Sequence, residues 1–317
     1  MKLPGILASR PPSVGVEIAS DRVTGVSLSG PPSAWTVAAH ATERLPAGAV
    51  TPALNAVNIH DARTVTAAIR SVFDRMGTKP RRVALVIPDT SAKLSLLRFE
   101  KVPSAADLDQ LIRWQVRKAA PFKPEEAQIS WVPAAVLPDG GREFLVTLAR
   151  RDIIESYEHA CAEAGASAGV VDLASLNLIN AALASSGQAS AGDWLVVNVA
   201  QYYATLAIVR GTDLIFFRTR QLEADGDLAD LVHQTSMYHE DRLSGGRFGR
   251  VVLSGASGRA VDSVERLRRG LEERLGTRVE PLDFRGTATM RDRISAGADL
   301  LDTLAPAVGV VLRERVA

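Results

Sequence analysis

The stretch VGVEIASDRVTGVSL, residues 14–28, alternates apolar with small or polar side chains on either side of the turn Ala19-Ser20-Asp21-Arg22. Period-two alternation broken by turn-forming residues is the signature of a β-hairpin. Trp35 to Ala39 supplies a third strand after Gly30-Pro31-Pro32-Ser33. A polar, proline-containing loop runs from Thr42 to His60. Beyond it, Val65, Ala68, Ile69, Val72, Phe73 and Met76 share one face of a helix that Gly77 closes. Arg82 to Ile87 is then a short apolar strand stopped by Pro88.

The same order recurs in WLVVNVAQYYATLAIV, residues 194–209. Trp194 to Val199, Tyr203 to Val209 and Asp213 to Phe217 read as three strands. A helix from Asp227 to Leu243 follows, then a strand from Arg250 to Leu253, and a Ser-Gly turn into a helix ending at Leu275. An internal repeat of β-β-β-α-β points to two similar α/β domains facing one another.

A different block separates the copies. Ser104, with Asp107 three residues on, forms a capping box for a helix carrying Leu108, Leu111 and Ile112, which Pro121 ends. Ile129 to Leu137 and Glu143 to Ala149 read as paired strands. Ile153, Ile154, Tyr157 and Cys161 mark a second helix, closed by Gly165. A short strand, Gly169 to Asp172, and a helix from Leu173 to Leu183 lead into a small polar linker, Ser185 to Gly192. The expected division is a leader at 1–12, a first domain at 13–96 to which 163–185 return, an inserted subdomain at 97–162, and a second domain at 186–317.

Composition narrows the function. The 317 residues carry 37 basic and 36 acidic side chains, a net charge of +1, so there is no basic excess for a dedicated nucleic-acid binder. One cysteine, Cys161, rules out an intramolecular disulfide framework and fits a reducing compartment. No apolar run approaches the ~18–20 residues of a membrane span.

Three turns sit where a phosphate-binding cleft between two such domains would need them. They are Glu17-Ile18-Ala19-Ser20-Asp21, Asn198-Val199-Ala200-Gln201 and Gly255-Ala256-Ser257-Gly258. Short Gly, Ser and Thr loops bring backbone N–H groups to phosphate, and a nearby carboxylate holds the waters of Mg²⁺. Taken singly, each is an ordinary hairpin or helix cap. Their equivalent places in the repeats give them joint weight.

Gly15-Val16-Glu17-Ile18-Ala19-Ser20 resembles the first phosphate loop of the actin-like ATPase superfamily. More closely, residues 114–126, WQVRKAAPFKPEE, followed by Asp172-Leu173, Phe217-Arg218, Leu253-Ser254-Gly255 and the C-terminal run 305–313, resemble the PilM family of type IV pilus assembly proteins. The resemblance implies an actin-like, ribonuclease H-like duplicated α/β fold with an FtsA-like inserted subdomain. It also implies a cytoplasmic scaffold of a pilus or type II secretion-like platform, peripheral to the inner membrane. Its partner would be the tail of a PilN-like single-pass membrane protein, and it would self-associate into a ring or dimer. Trp114, Pro121 and Phe122, at the end of the central helix, are the candidate partner-binding residues, with packing in the subdomain core as the alternative.

Where the family's loops carry Asp and Gly, this chain has Glu17 and Ala19, then Asn198 and Ala200. If those glycines have positive φ, each alanine costs about 1 kcal/mol or more, or the loop changes shape. Thr219 to Asp227 also passes almost directly into the long helix, so most of the family's helical insertion is missing. ATP and Mg²⁺ are thus possible but not expected to be tightly bound, with Glu17 the metal-water ligand if Mg²⁺ binds. Activity would be at most a weak ATPase. The alternatives are a working Mg-ATP-binding protein and, further off, a sugar or acetate kinase-like enzyme. The five histidines show no metal spacing, and His233 and His239 are expected on a solvated helix face. The Arg266–Arg274 cluster, interleaved with Glu265, Glu272 and Glu273, reads as a salt-bridged surface.

Overall fold

Strand β1 (Val14–Ile18) runs antiparallel to β2 (Arg22–Ser29), and β2 to β3 (Trp35–Arg44), as the alternation predicts. A computed structural model describes residues 12–31, 34–101, 104–118, 120–137, 139–186, 192–222, 227–256, 261–290 and 296–313. The leader through residue 11, Ser257, Gly258 and linker residues 187–191 lie outside these. Asp61 caps helix α1 (Ala62–Arg75) by accepting from the Thr64 N–H at 3.0 Å. The chain then enters β4 (Arg82–Ile87), parallel to β1.

The second copy repeats this layout. β9 (Trp194–Val199), β10 (Tyr203–Arg210) and β11 (Asp213–Gln221) form the meander, α5 (Asp227–Leu243) crosses over, and β12 (Arg250–Ser254) returns parallel to β9. Helix α6 (Val261–Leu275) leads to β13 (Val279–Pro281) beside β12. In the first copy the place of β13 is taken by β8 (Ser167–Leu173), parallel to β4. The sheet orders therefore match, β3-β2-β1-β4-β8 against β11-β10-β9-β12-β13.

The insert is a three-stranded sheet, β5 (Ala92–Phe99), β7 (Arg142–Arg150) and β6 (Ala127–Val136), covered on one face by α2 (Ala105–Arg117). Leu108, Ile112 and Val116 of α2 pack on Phe144 and Val146, with the Trp131 ring edge-on to Phe144 at 5.6 Å. Strand β5 has no signal in the sequence, because its residues are half-buried or exposed and do not alternate cleanly. Helix α3 (Arg151–Glu163) was expected within the insert. It packs instead beside α1 on the first sheet through Ile153, Tyr157, Ala160 and Cys161. Burial pushes the Cys161 thiol up to about 12.

The C-terminal segment, expected wholly in the second domain, crosses back. β14 (Ala288–Met290) pairs with β3, and α7 (Ala298–Leu312) lies between the two sheets against α4 (Ala174–Ser186). One core thus runs from Val26 and Val86 of the first sheet through Ala181 and Leu304 to Val196 and Val252 of the second. Two glycines let α7 seat. A Cβ on Gly15 would overlap the Ala307 carbonyl, and one on Gly309 the Asn177 carbonyl. His239 is not solvated: it lies on the buried stripe of α5 with Val232 and Thr235. Its Nε2 meets Asp193 at 2.7 Å and its ring stacks on Phe248. The α6 surface is salt-bridged as expected, with Arg268 paired to Glu265 and Glu272. Among the described residues no helix is long and apolar enough to cross a membrane.

Gly309→Ala is expected to destabilise the protein by about 1–3 kcal/mol, because backbone of α4 rather than a flexible side chain blocks the new methyl. Urea denaturation checks this; a change within about 0.5 kcal/mol would mean that α4 and α7 part freely.

Candidate functional site

The three turns meet. Glu17, Ala19, Ser20, Asn198, Ala200, Gln201 and Gly255 line one cavity of about 280 Å³ between the sheets, closed by Asp302 and Pro306 of α7. Ala256 is buried next to this lining without joining it.

Several of the donors a phosphate would need are already committed. The Ala19 N–H closes its hairpin on the Arg22 carbonyl at 2.9 Å. The Gly255 N–H donates to Asp302 at 2.9 Å, and the Ser254 hydroxyl donates to the same oxygen. Asn198 turns its amide to Ser175 at 2.9 Å and to Asp89 at 3.4 Å. Neither Ala19 nor Ala200 has positive φ, so both loops have taken shapes that alanine accepts. Gly255 is different: it has φ 79°, and a Cβ would overlap the Asn198 side chain.

Charge in the cleft is mostly negative. Glu17, Asp21 and Asp302 line it, with Arg22 as the cation. Glu17 is buried and its Oε2 lacks a hydrogen-bond partner; Arg22 approaches it at 3.5 Å. Burial pushes the Glu17 carboxyl up to about 7 against the pull of Arg22, and Asp21, Asp302 and Asp89 push it further. Among the described residues no three His, Cys, Asp or Glu side chains are grouped to hold a metal ion. Sequence reasoning missed Asp89, Ser175 and Asp302. Asp302 was findable as the one charge in the apolar run 300–312.

A second, larger groove of about 720 Å³ separates the insert from the first domain. Three sheet-edge strands border it: β8, β6 and the start of β11. Its walls include Val132, Leu145, Thr147, Val171, Leu176 and Ile179. Leu145 and Thr147 alternate along β7 with Phe144 and Val146, so the groove lies on the face opposite α2. Trp114, Pro121 and Phe122 are not in its lining. Trp114 is 55% exposed on the outer face of α2, Pro121 is exposed and Phe122 half-buried.

The Glu17 carboxyl gives a pH dependence with a definite sign. Its value rises on folding from 4.5 to about 7. Between these values the folded chain keeps a proton that the unfolded chain has released, so stability falls as pH rises through that interval, by up to about 3 kcal/mol. Glu17→Gln is expected to flatten this decline in denaturation curves between pH ~5 and ~8. An unchanged slope would assign the decline to other groups.

The family model for Type IV pilus assembly protein PilM matches residues 15–241. Among solved structures, a PilM-PilN type IV pilus biogenesis complex superposes with a TM-score of 0.78 at 18% identity, covering 96% of this chain and 99% of that one. A Bacteroides thetaiotaomicron protein with an actin-like ATPase fold and unknown function gives a TM-score of 0.49 at 11% identity, covering 90% and 97%. The cytoplasmic domain of EpsL, an inner membrane component of the type II secretion system of Vibrio cholerae, gives 0.44 at 9%, covering 76% and 80%. No curated protein matches the chain in sequence. The duplicated sheets and the insert make the fold actin-like, and the chain belongs to the PilM family of type IV pilus assembly proteins.

Proposed function

We propose that this protein is a cytoplasmic scaffold of a pilus assembly platform, held at the inner membrane by an extended tail of a PilN-like single-pass protein. The groove between the insert and the first domain carries the reading. Three strand edges with unpaired backbone groups flank an apolar floor, the arrangement that accepts an added strand and its alternate side chains. The superposed complex contains PilN, which supports a partner of that kind.

In the same reading the cleft binds Mg-ATP weakly or not at all. Asp302 occupies the Gly255 N–H, and the carboxylates outnumber the one guanidinium, so a triphosphate meets committed donors and like charge. Were Mg²⁺ and nucleotide to bind, Glu17 would be the metal-water ligand. The cation would supply the neutralisation that the lining lacks.

A synthetic tail peptide from the neighbouring membrane partner is expected to bind saturably in fluorescence anisotropy. Thr147→Arg, which fills the groove, is expected to weaken it by about tenfold or more. Equal affinity for the two proteins would place the tail elsewhere. Calorimetry with Mg-ATP is expected to give no saturable heat; a clear isotherm would favour the working nucleotide-binding reading.

A further inference from the structure

We propose that the exposed face of α2, with the turn that follows it, rests directly on an anionic lipid surface. This contact is separate from the groove and does not rest on the tail-binding reading. Leu111, Trp114 and Lys118 form a stripe at i, i+3 and i+7, to one side of the buried Leu108, Ile112 and Val116. Trp114 is 55% and Leu111 39% exposed, and the Lys118 ammonium lies over the Trp114 ring at 3.7 Å. Pro121 and Lys123 are exposed just beyond the helix, with Phe122 half-buried between them.

Charge singles out the occupant. The last two turns of α2 and the residues just beyond carry Arg113, Arg117, Lys118 and Lys123, with Asp107 and Asp109 near the helix start and Glu125 and Glu126 past Pro124. Arg113 is held by Asp109 at 2.7 Å, whereas Arg117, Lys118 and Lys123 have no carboxylate partner among the described residues. The helix dipole accounts for a cation in the last turn. It does not account for an exposed tryptophan and leucine beside it, nor for Phe122 and Lys123 past the helix end. Tryptophan with lysine and arginine is the composition of membrane interfaces, where the ring sits at headgroup level and the cations meet anionic lipid. A protein partner fits less well. Lysine is depleted in protein interfaces, and neither cavity described above includes any of these residues to receive an anchor.

Co-sedimentation of the full chain with vesicles tests this. The protein is expected to pellet with phosphatidylcholine vesicles that contain phosphatidylglycerol, and not with phosphatidylcholine alone. Lys118→Glu should weaken the binding by at least about fivefold, the worth of one cation near such a surface. Added salt should weaken it further. On vesicle addition the tryptophan emission should shift to the blue in the wild type and not in Trp114→Phe. Both variants change exposed side chains, so their melting curves and their affinity for the tail peptide should match wild type. Absence of lipid-dependent pelleting, or equal pelleting of Lys118→Glu and wild type, overturns the proposal. Trp114 would then belong to a protein interface.

Discussion

A single buried carboxylate ties the two halves of this molecule together. Asp89, just past the end of β4, accepts from the Ser175 N–H at 2.9 Å and the Thr205 hydroxyl at 2.7 Å, and also from the Ser175 hydroxyl and the Asn198 amide. Its own N–H reaches the Tyr203 hydroxyl at 3.2 Å. Burial pushes its carboxyl up, and the donors from Ser175, Thr205 and Asn198 pull it back. A buried carboxylate is tolerable only when donors surround it, and here those donors come from α4, β9 and β10. Separating the sheets would strip away the Asn198 and Thr205 donors and leave only those of Ser175.

That clasp and the shared core under α4 and α7 explain the state of the cleft. In a site that closes on phosphate, the backbone donors of the turns stay free until the ligand arrives. Here the Ala19 N–H faces the Arg22 carbonyl and the Gly255 N–H faces the Asp302 carboxylate. Asn198 is an amide because its neighbour is Asp89; an acid at 198 would set two buried carboxylates together and lose a donor to Ser175. Asp302 does for the Ser254-Gly255 turn what an external anion does elsewhere.

With the cleft closed on itself, the open surfaces are at the insert. Its sheet has two unlike faces. One is packed under α2, and the other looks across the groove at the edge of the first sheet. Among the described residues the strand edges around that groove remain unpaired, a liability that an added strand would cover.

Much of this was legible in the residues. The alternation in residues 14–28 and its recurrence at 194–209 determined the strands, their order and the duplication, because period and punctuation are local. The turns were legible as a set, and seven of their residues do meet in one cavity. Other features were not legible. Whether Trp114 packs in the core or stands exposed was open, because nothing local says which face of a helix a distant sheet covers. His239 read as solvated because Asp193 and Phe248, which bury it, belong to other elements. Above all, Asp89 finds its partners 86, 109 and 116 residues away. By itself the sequence determined where the chain turns and repeats. Only the tertiary structure decided whether the donors in those turns face a ligand or one another, because a hydrogen bond between distant segments exists only once the sheets have closed.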